Sequence, residues 1–386
     1  MQQNHSQKSL KNFNPSKVPL SLYIHLPWCE KQCPYCDFNI NTNKSEGDED
    51  KLLNALYQDL RGSDQYVQNR KFSSVYFGGG TPSLVSAKMI KKILAKFQDM
   101  SLLQEGCEIS FELNPKEVTH AYIEEIIEAG VNRISIGIQS FDQNMLDTLE
   151  RNHSSDDSYQ AIKIASEFKE IDISIDLIYG IMDQSVESLK KDIQIFCESK
   201  ISHLSFYQLT IEPNTIFYKR ELNVPSDKTI ELMEIAAKES LNAYDIFQYE
   251  VSSWAKNNSL SKHNMNYWLY GDYLGIGPGA HSKITEKSSI TRMIKLKKVE
   301  SYISDPLKIT KIQIDNSSYD LDLAMNVLRV KSGVSFEELK KRGVFISKSF
   351  KEKLQHGYEN GLIDQNLIKA TDQGYKFLND TINTFN

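Results

Sequence analysis

Three of the chain's five cysteines, Cys29, Cys33 and Cys36, fall within eight positions in the stretch "HLPWCEKQCPYCDFN". Pro27 and Pro34 break any helix there, so a loop carries the C-x3-C-x2-C spacing. Three thiolates on one loop can converge on a single metal centre. A closed zinc site needs a fourth Cys or His, and His25, though near, lies within a strand pattern. A disulfide leaves one thiol over and is disfavoured in a reducing compartment. Iron–sulfur clusters normally take four cysteines, so three leave one iron open to an exchangeable ligand. The spacing favours that open cluster, with zinc and incidental thiols as the alternatives. Cys107 opens a strand run and Cys197 sits on the apolar stripe of a helix, where each behaves as a small hydrophobe.

Other residue types point to a ligand beside those thiols. "GGGTP" (Gly78–Pro82) follows a strand run, and its glycines let a ligand approach the backbone and meet its N–H groups. The plain alternative is a tight turn. No Gly-Lys-Ser/Thr follows, so it is not a P-loop. Glu112 in "FELNP" ends another strand run, where a solvated or capping carboxylate is the ordinary reading.

These residues need a scaffold, and the chain alternates two patterns that supply one. Strand-like runs cover Ser21–His25, Ser74–Gly80, Cys107–Pro115, Arg133–Ser140, Ile173–Gly180 and His203–Thr210. Amphipathic stretches such as Ala121–Gly130 and Ser188–Glu198 lie between them. Alternation of this kind implies βαβ units and a parallel sheet. Six units fit an α/β fold of the partial (β/α)6 barrel type, with a doubly wound sheet as runner-up; in a barrel the site lies at the C-terminal strand ends.

The expected organisation is a disordered tail over 1–19, a barrel over 20–245, a connecting region over 246–315 and a small, mainly α, winged-helix-like domain over 316–386. That last part carries 10 Lys+Arg against 9 Asp+Glu, and the whole chain has a net charge of −6. Both balances argue against nucleic acid as a partner. No apolar run approaches the roughly 18 residues of a membrane span, and the polar N-terminus lacks the apolar core of a signal peptide. A cytoplasmic location is expected, with peripheral membrane contact left open.

The cysteine spacing on a loop after the first strand resembles the radical S-adenosylmethionine (SAM) superfamily. "YFGGGTPSL", "FELNP", "GVNRISIGIQSF", "SFYQLTIEPNT" and "HNMNYW…DYLGIGPGAHS", in that order from about Ser21 onward, are similar to its coproporphyrinogen-oxidase-like branch. The resemblance implies that Cys29, Cys33 and Cys36 hold a [4Fe–4S] cluster whose open iron chelates SAM. It implies SAM contacts at Gly79, Gly80, Thr81 and Glu112, further positions near SAM or a second SAM at Gln139, Arg151 and Asp176, and Tyr23 and Tyr35 beside the cluster. One departure matters: the dehydrogenases of that branch carry another cysteine two residues after the triplet, where this chain has Phe38. That favours the branch's heme chaperones, which bind heme and pass it to acceptor hemoproteins, respiratory enzymes among them. The alternative is an oxygen-independent coproporphyrinogen III dehydrogenase. In "HNMNYW" the resemblance associates His263 with heme, as iron ligand or close neighbour, with Tyr267 one helical turn away and His281 in "GAHS" as competitor.

Overall fold

The computed structural model of the 386-residue chain describes residues 13–256, 259–315 and 317–386. Six parallel strands follow one another in space as in sequence: β1 (Leu20–Leu26), β2 (Phe72–Gly79), β3 (Leu103–Leu113), β4 (Arg133–Gln139), β5 (Asp172–Tyr179) and β6 (His203–Gln208). The six expected runs are these six strands. Their order never reverses, which excludes the doubly wound alternative, since such a sheet turns back at a switch point.

The helices between them are started by their own sequence. Ser86, Thr119, Ser154 and Ser185 each accept a backbone N–H of the first turn, and Gly130 closes the helix His120–Ala129 at φ 113°. The apolar faces of these helices bury Ile90, Leu94, Ile126 and Phe196 against the sheet.

The sheet does not stop at six strands. β7 (Phe247–Glu250) and β8 (Ser253–Ala255) add antiparallel to the β6 edge. β9 (Asp272–Ile276) pairs parallel with β1, and β10 (His281–Thr285), β11 (Ile290–Lys295) and β12 (Ile309–Ile314) continue from it. The twelve strands form one open sheet, so 246–315 extends the barrel wall at both ends rather than merely connecting two domains. Two buried ion networks lock this extension. Asp272 on β9 takes Arg70 at 2.7 Å and Lys283 at 3.4 Å, and Asp59 takes Lys295 and the Tyr302 hydroxyl.

The C-terminal part packs helices Tyr319–Val327, Phe336–Lys341 and Lys348–Glu359 around Leu323, Leu339 and Phe350, with β-bridges Val334–Ile368 and Ile363–Ala370 as a small wing. Of the expected tail, 1–12 lie outside the described residues, but 13–19 are not a tail. Phe13 is buried against Tyr319 and Phe345, and Val18 is buried too, because an apolar side chain next to that cluster gains more by burial than its short segment loses by ordering.

Candidate functional site

Seven residues of β2 to β6 converge because their side chains alternate onto one face. Tyr76, Ser110, Glu112, Ser135, Ser174, Asp176 and Ser205 line a single cavity of about 320 Å3 inside the barrel. Beside it Cys29, Cys33 and Cys36 open together onto a second cavity of about 170 Å3, shared with Tyr35, Gly80, Thr81, Glu112, Gln139, Arg151 and Asp176. The structure thus brings together most of the residues expected from sequence.

The cysteine loop is held from three sides. Gly80 donates its N–H to the Leu26 carbonyl at 2.8 Å, Thr81 to that of Trp28 at 2.7 Å, and Cys29 to that of Asn41 at 3.0 Å. The expectation that the glycine turn presents free N–H groups to a ligand is therefore corrected: those amides are spent on the loop. A Cβ at Gly80 would stand 2.5 Å from the Trp28 carbonyl oxygen, so the residue is glycine because the cysteine loop lies against it. Gly79 sits at φ +121° with the His25 ring where a Cβ would be. The turn's remaining offer to a ligand is its carbonyls, which suit an ammonium group. The Thr81 hydroxyl lies 3.4 Å from the Cys29 sulfur.

Arg151 is the link that sequence alone least suggested. Its Nη1 lies 3.5 Å from the Cys33 sulfur and 3.3 Å from the Tyr35 hydroxyl, and its Nη2 donates to the Gly137 carbonyl. Burial works against its charge, but Tyr35 and Cys33 hold the guanidinium firmly protonated. Gln139, at φ 66°, breaks the β4–β5 register and turns into the same space.

Two acids face the cavities without a basic partner in any described ion pair. Glu112 accepts the Tyr76 hydroxyl at 2.7 Å, and burial, then the neighbouring Asp176, raise its pKa to about 7. Asp176 accepts the Ser135 hydroxyl at 3.0 Å and burial raises it to about 6. A half-buried carboxylate pair with no ion-pair partner of its own suits a cationic ligand. Tyr76, Ser135 and Ser205 were missed in the sequence; only their alternation with apolar neighbours on β2, β4 and β6 could have flagged them.

Among the described residues no three His, Cys, Asp or Glu side chains are already gathered at metal-binding distances. The donor set nevertheless fits a cluster. All three thiols are free, half-buried and open to one cavity, with Arg151 beside Cys33 to offset negative charge. Cys107 and Cys197 are buried elsewhere in the core.

His263 is placed differently from the expectation. The helix Lys262–Trp268 packs on β1, β2 and β9, with Glu108 accepting the N–H groups of Lys262 and His263. The ring is buried, with Nδ1 2.9 Å from the Ser74 hydroxyl and Nε2 2.8 Å from the Tyr267 hydroxyl. Ser74 gives its own proton to Ser21, so Nδ1 donates and Nε2 accepts. No lone pair is left for iron; burial also drives the ring's pKa down to about 3. His263 holds Tyr267 in place instead. Tyr23, expected beside the cluster, bonds His25 and lines a third cavity, which shares Phe38 with the other two.

The sequence profile of the Radical SAM superfamily matches residues 23–196. "Heme chaperone HemW" of Buchnera aphidicola subsp. Acyrthosiphon pisum is 37% identical over 95% of this chain and 98% of its own length. The Escherichia coli protein of the same description is 35% identical over 95% and 98%. Among solved structures, the E. coli coproporphyrinogen III oxidase HemN, a radical SAM enzyme, superposes with a TM-score of 0.79 at 20% identity, over 96% of this chain and 91% of that one, which speaks for the fold alone. Identity at this level over nearly the whole length places the protein in a family: the chain belongs to the radical SAM superfamily and, within it, to the HemW family.

Proposed function

We propose that the protein is a heme chaperone that binds heme, delivers it to acceptor hemoproteins, and keeps a [4Fe–4S] cluster and a SAM-binding core. The observation that carries this reading over the dehydrogenase alternative is Phe38. It stands where the dehydrogenases it resembles have a further cysteine, and it is 61% exposed at the border of all three cavities. A phenyl ring there supplies an apolar surface and no proton or hydrogen atom. Curated relatives described as heme chaperones, matched along nearly the full chain, support the same reading.

In this proposal Cys29, Cys33 and Cys36 hold the cluster, with Tyr35 and Arg151 beside it. Gly79, Gly80 and Thr81 shape the turn for the ammonium group of SAM. Glu112, Asp176 and Gln139 line the space for its cationic remainder. When bound, the pair supplies one-electron reductive cleavage of SAM; the chain's own part is to orient the ligand, neutralise its charge and exclude water. We place the protein in the cytoplasm, with respiratory enzymes among its acceptors. Among the described residues no helix is long and apolar enough to cross a membrane.

Product analysis separates the two readings. Anaerobic incubation of the reconstituted protein with coproporphyrinogen III, SAM and a reductant is expected to leave the propionates intact. Steady formation of protoporphyrinogen at roughly 1 per second or more would establish the dehydrogenase instead.

A further inference from the structure

Six of the seven described histidines are occupied. His25, His120, His153, His203, His263 and His356 each engage a ring nitrogen in a hydrogen bond. His281, the first residue of β10, is exposed, and among the described residues neither of its ring nitrogens has a hydrogen-bond partner. It borders an open groove of about 330 Å3 with Tyr23, Phe38, Tyr267, Tyr273 and Lys297.

We infer that His281 is the iron ligand of the transported heme, and that the porphyrin lies in this groove against the three tyrosines and Phe38. This rests on the heme-chaperone reading above and assigns its binding site.

The chemistry is complementary on each count. A neutral imidazole with a free lone pair is a common axial ligand to heme iron. Partial desolvation at the groove wall, then Lys297 and Arg292, hold His281 below its ordinary pKa, which favours the neutral, ligating ring. Tyr267 and Tyr273 meet edge to face at 4.6 Å and 85°, a rigid corner whose rings favour a flat aromatic partner. Tyr267 is fixed by His263, which gives the HNMNYW segment an indirect role in heme binding without making it the ligand. Lys297 and the adjacent exposed Lys298 offer cations for the two propionates, while Arg292 is already paired with Asp322. Asp37 also lines the groove, and its like charge leaves the lysines as the partners for the carboxylates.

The groove is also built for release. Its volume is near the lower end of the roughly 300–1,000 Å3 typical of small-molecule sites, so a porphyrin is gripped by one face and edge and its remainder stays outside. Delivery is then ligand exchange at iron: the acceptor's donor atom takes the position that the His281 nitrogen leaves, with no change in oxidation state. Asn39 donates to the carbonyls of Pro278 and Lys297, both at 2.9 Å, and so ties the cysteine loop to the strand turn that carries His281.

The test is a hemin titration of the full-length, cluster-reconstituted chain, followed at the Soret band, for the unaltered protein, His281→Ala and His263→Ala. His281→Ala is expected to weaken binding at least about tenfold and to change the ligand-sensitive bands, and added imidazole is expected to restore the original spectrum. His263→Ala is expected to keep the ligand signature while weakening affinity less. Removing an exposed, unbonded side chain leaves folding intact, checked by circular dichroism and iron content. If the unaltered protein binds hemin and His281→Ala matches it in affinity and spectrum, the assignment is wrong while the chaperone reading stands. If the unaltered protein binds no hemin, both fall.

Discussion

The guanidinium of Arg151 reaches the Cys33 sulfur, at 3.5 Å, from a loop 118 positions along the chain. It is a half-buried cation set against the middle thiol of the triplet, and its other contacts, Tyr35 and Gly137, fix its direction. Replacing it with methionine keeps much of the packing and removes the charge-assisted donor. Arg151→Met is expected to lower iron retained after anaerobic reconstitution several-fold on exposure to air, with Arg151→Lys intermediate. Iron counts against time would check this.

Gly80 is predicted to be intolerant of even one methyl group. A Cβ there meets the Trp28 carbonyl at 2.5 Å, on the segment that presents Cys29. Gly80→Ala must push the cysteine loop away, at a cost of about 1–3 kcal/mol. The expected outcome is a folded chain with lowered cluster content, read from circular dichroism and iron and sulfide analysis together.

Glu112 gives a pH dependence whose sign is fixed by the direction of its shift. Its folded-state pKa of about 7 lies above the usual 4.5, so the folded chain resists ionising it. Its contribution is fully favourable below about pH 4.5 and is lost as pH rises to about 7. Without ligand, Glu112→Gln is expected to gain about 1–2 kcal/mol on the unaltered protein between pH 5 and pH 8. SAM should reverse the order, since a bound cation lowers the carboxyl pKa. Denaturant midpoints at the two pH values, with and without SAM, would check both parts.

Much of this architecture was legible in the residues. Six short strand-like runs separated by amphipathic stretches marked β1 to β6, and the cysteine spacing marked the loop after β1. The flanking strands were not, because Phe247–Glu250 and Ser253–Ala255 are too short to show a period and Asp272–Ile276 reads as a glycine-rich loop. The role of His263 was hidden for a different reason. Its partner Ser74 is 189 positions away, and no local pattern tells an imidazole with two bonds from one with none. Phe13 likewise owes its burial to Tyr319 and Phe345 at the far end of the chain.

Asp272 is expected to matter for the fold alone. Fully buried, it accepts from Arg70 and Thr285 and pairs with Lys283, joining β9 to β10 and to the start of β2. Asp272→Asn leaves two buried cations without their counter-charge, and a loss of about 3–5 kcal/mol follows. Thermal melting of the variant would show it, with hemin affinity unchanged below the transition.

The central claim is that this chain carries heme and gives it up. Heme-loaded, cluster-reconstituted protein mixed with an excess of an apo-hemoprotein tests it directly, with the Soret band of each followed over time. The carrier band is expected to decay as the acceptor's holo spectrum grows, faster than from free hemin at the same concentration. Heme that stays on the chain, or that reaches the acceptor no faster than free hemin does, would contradict it.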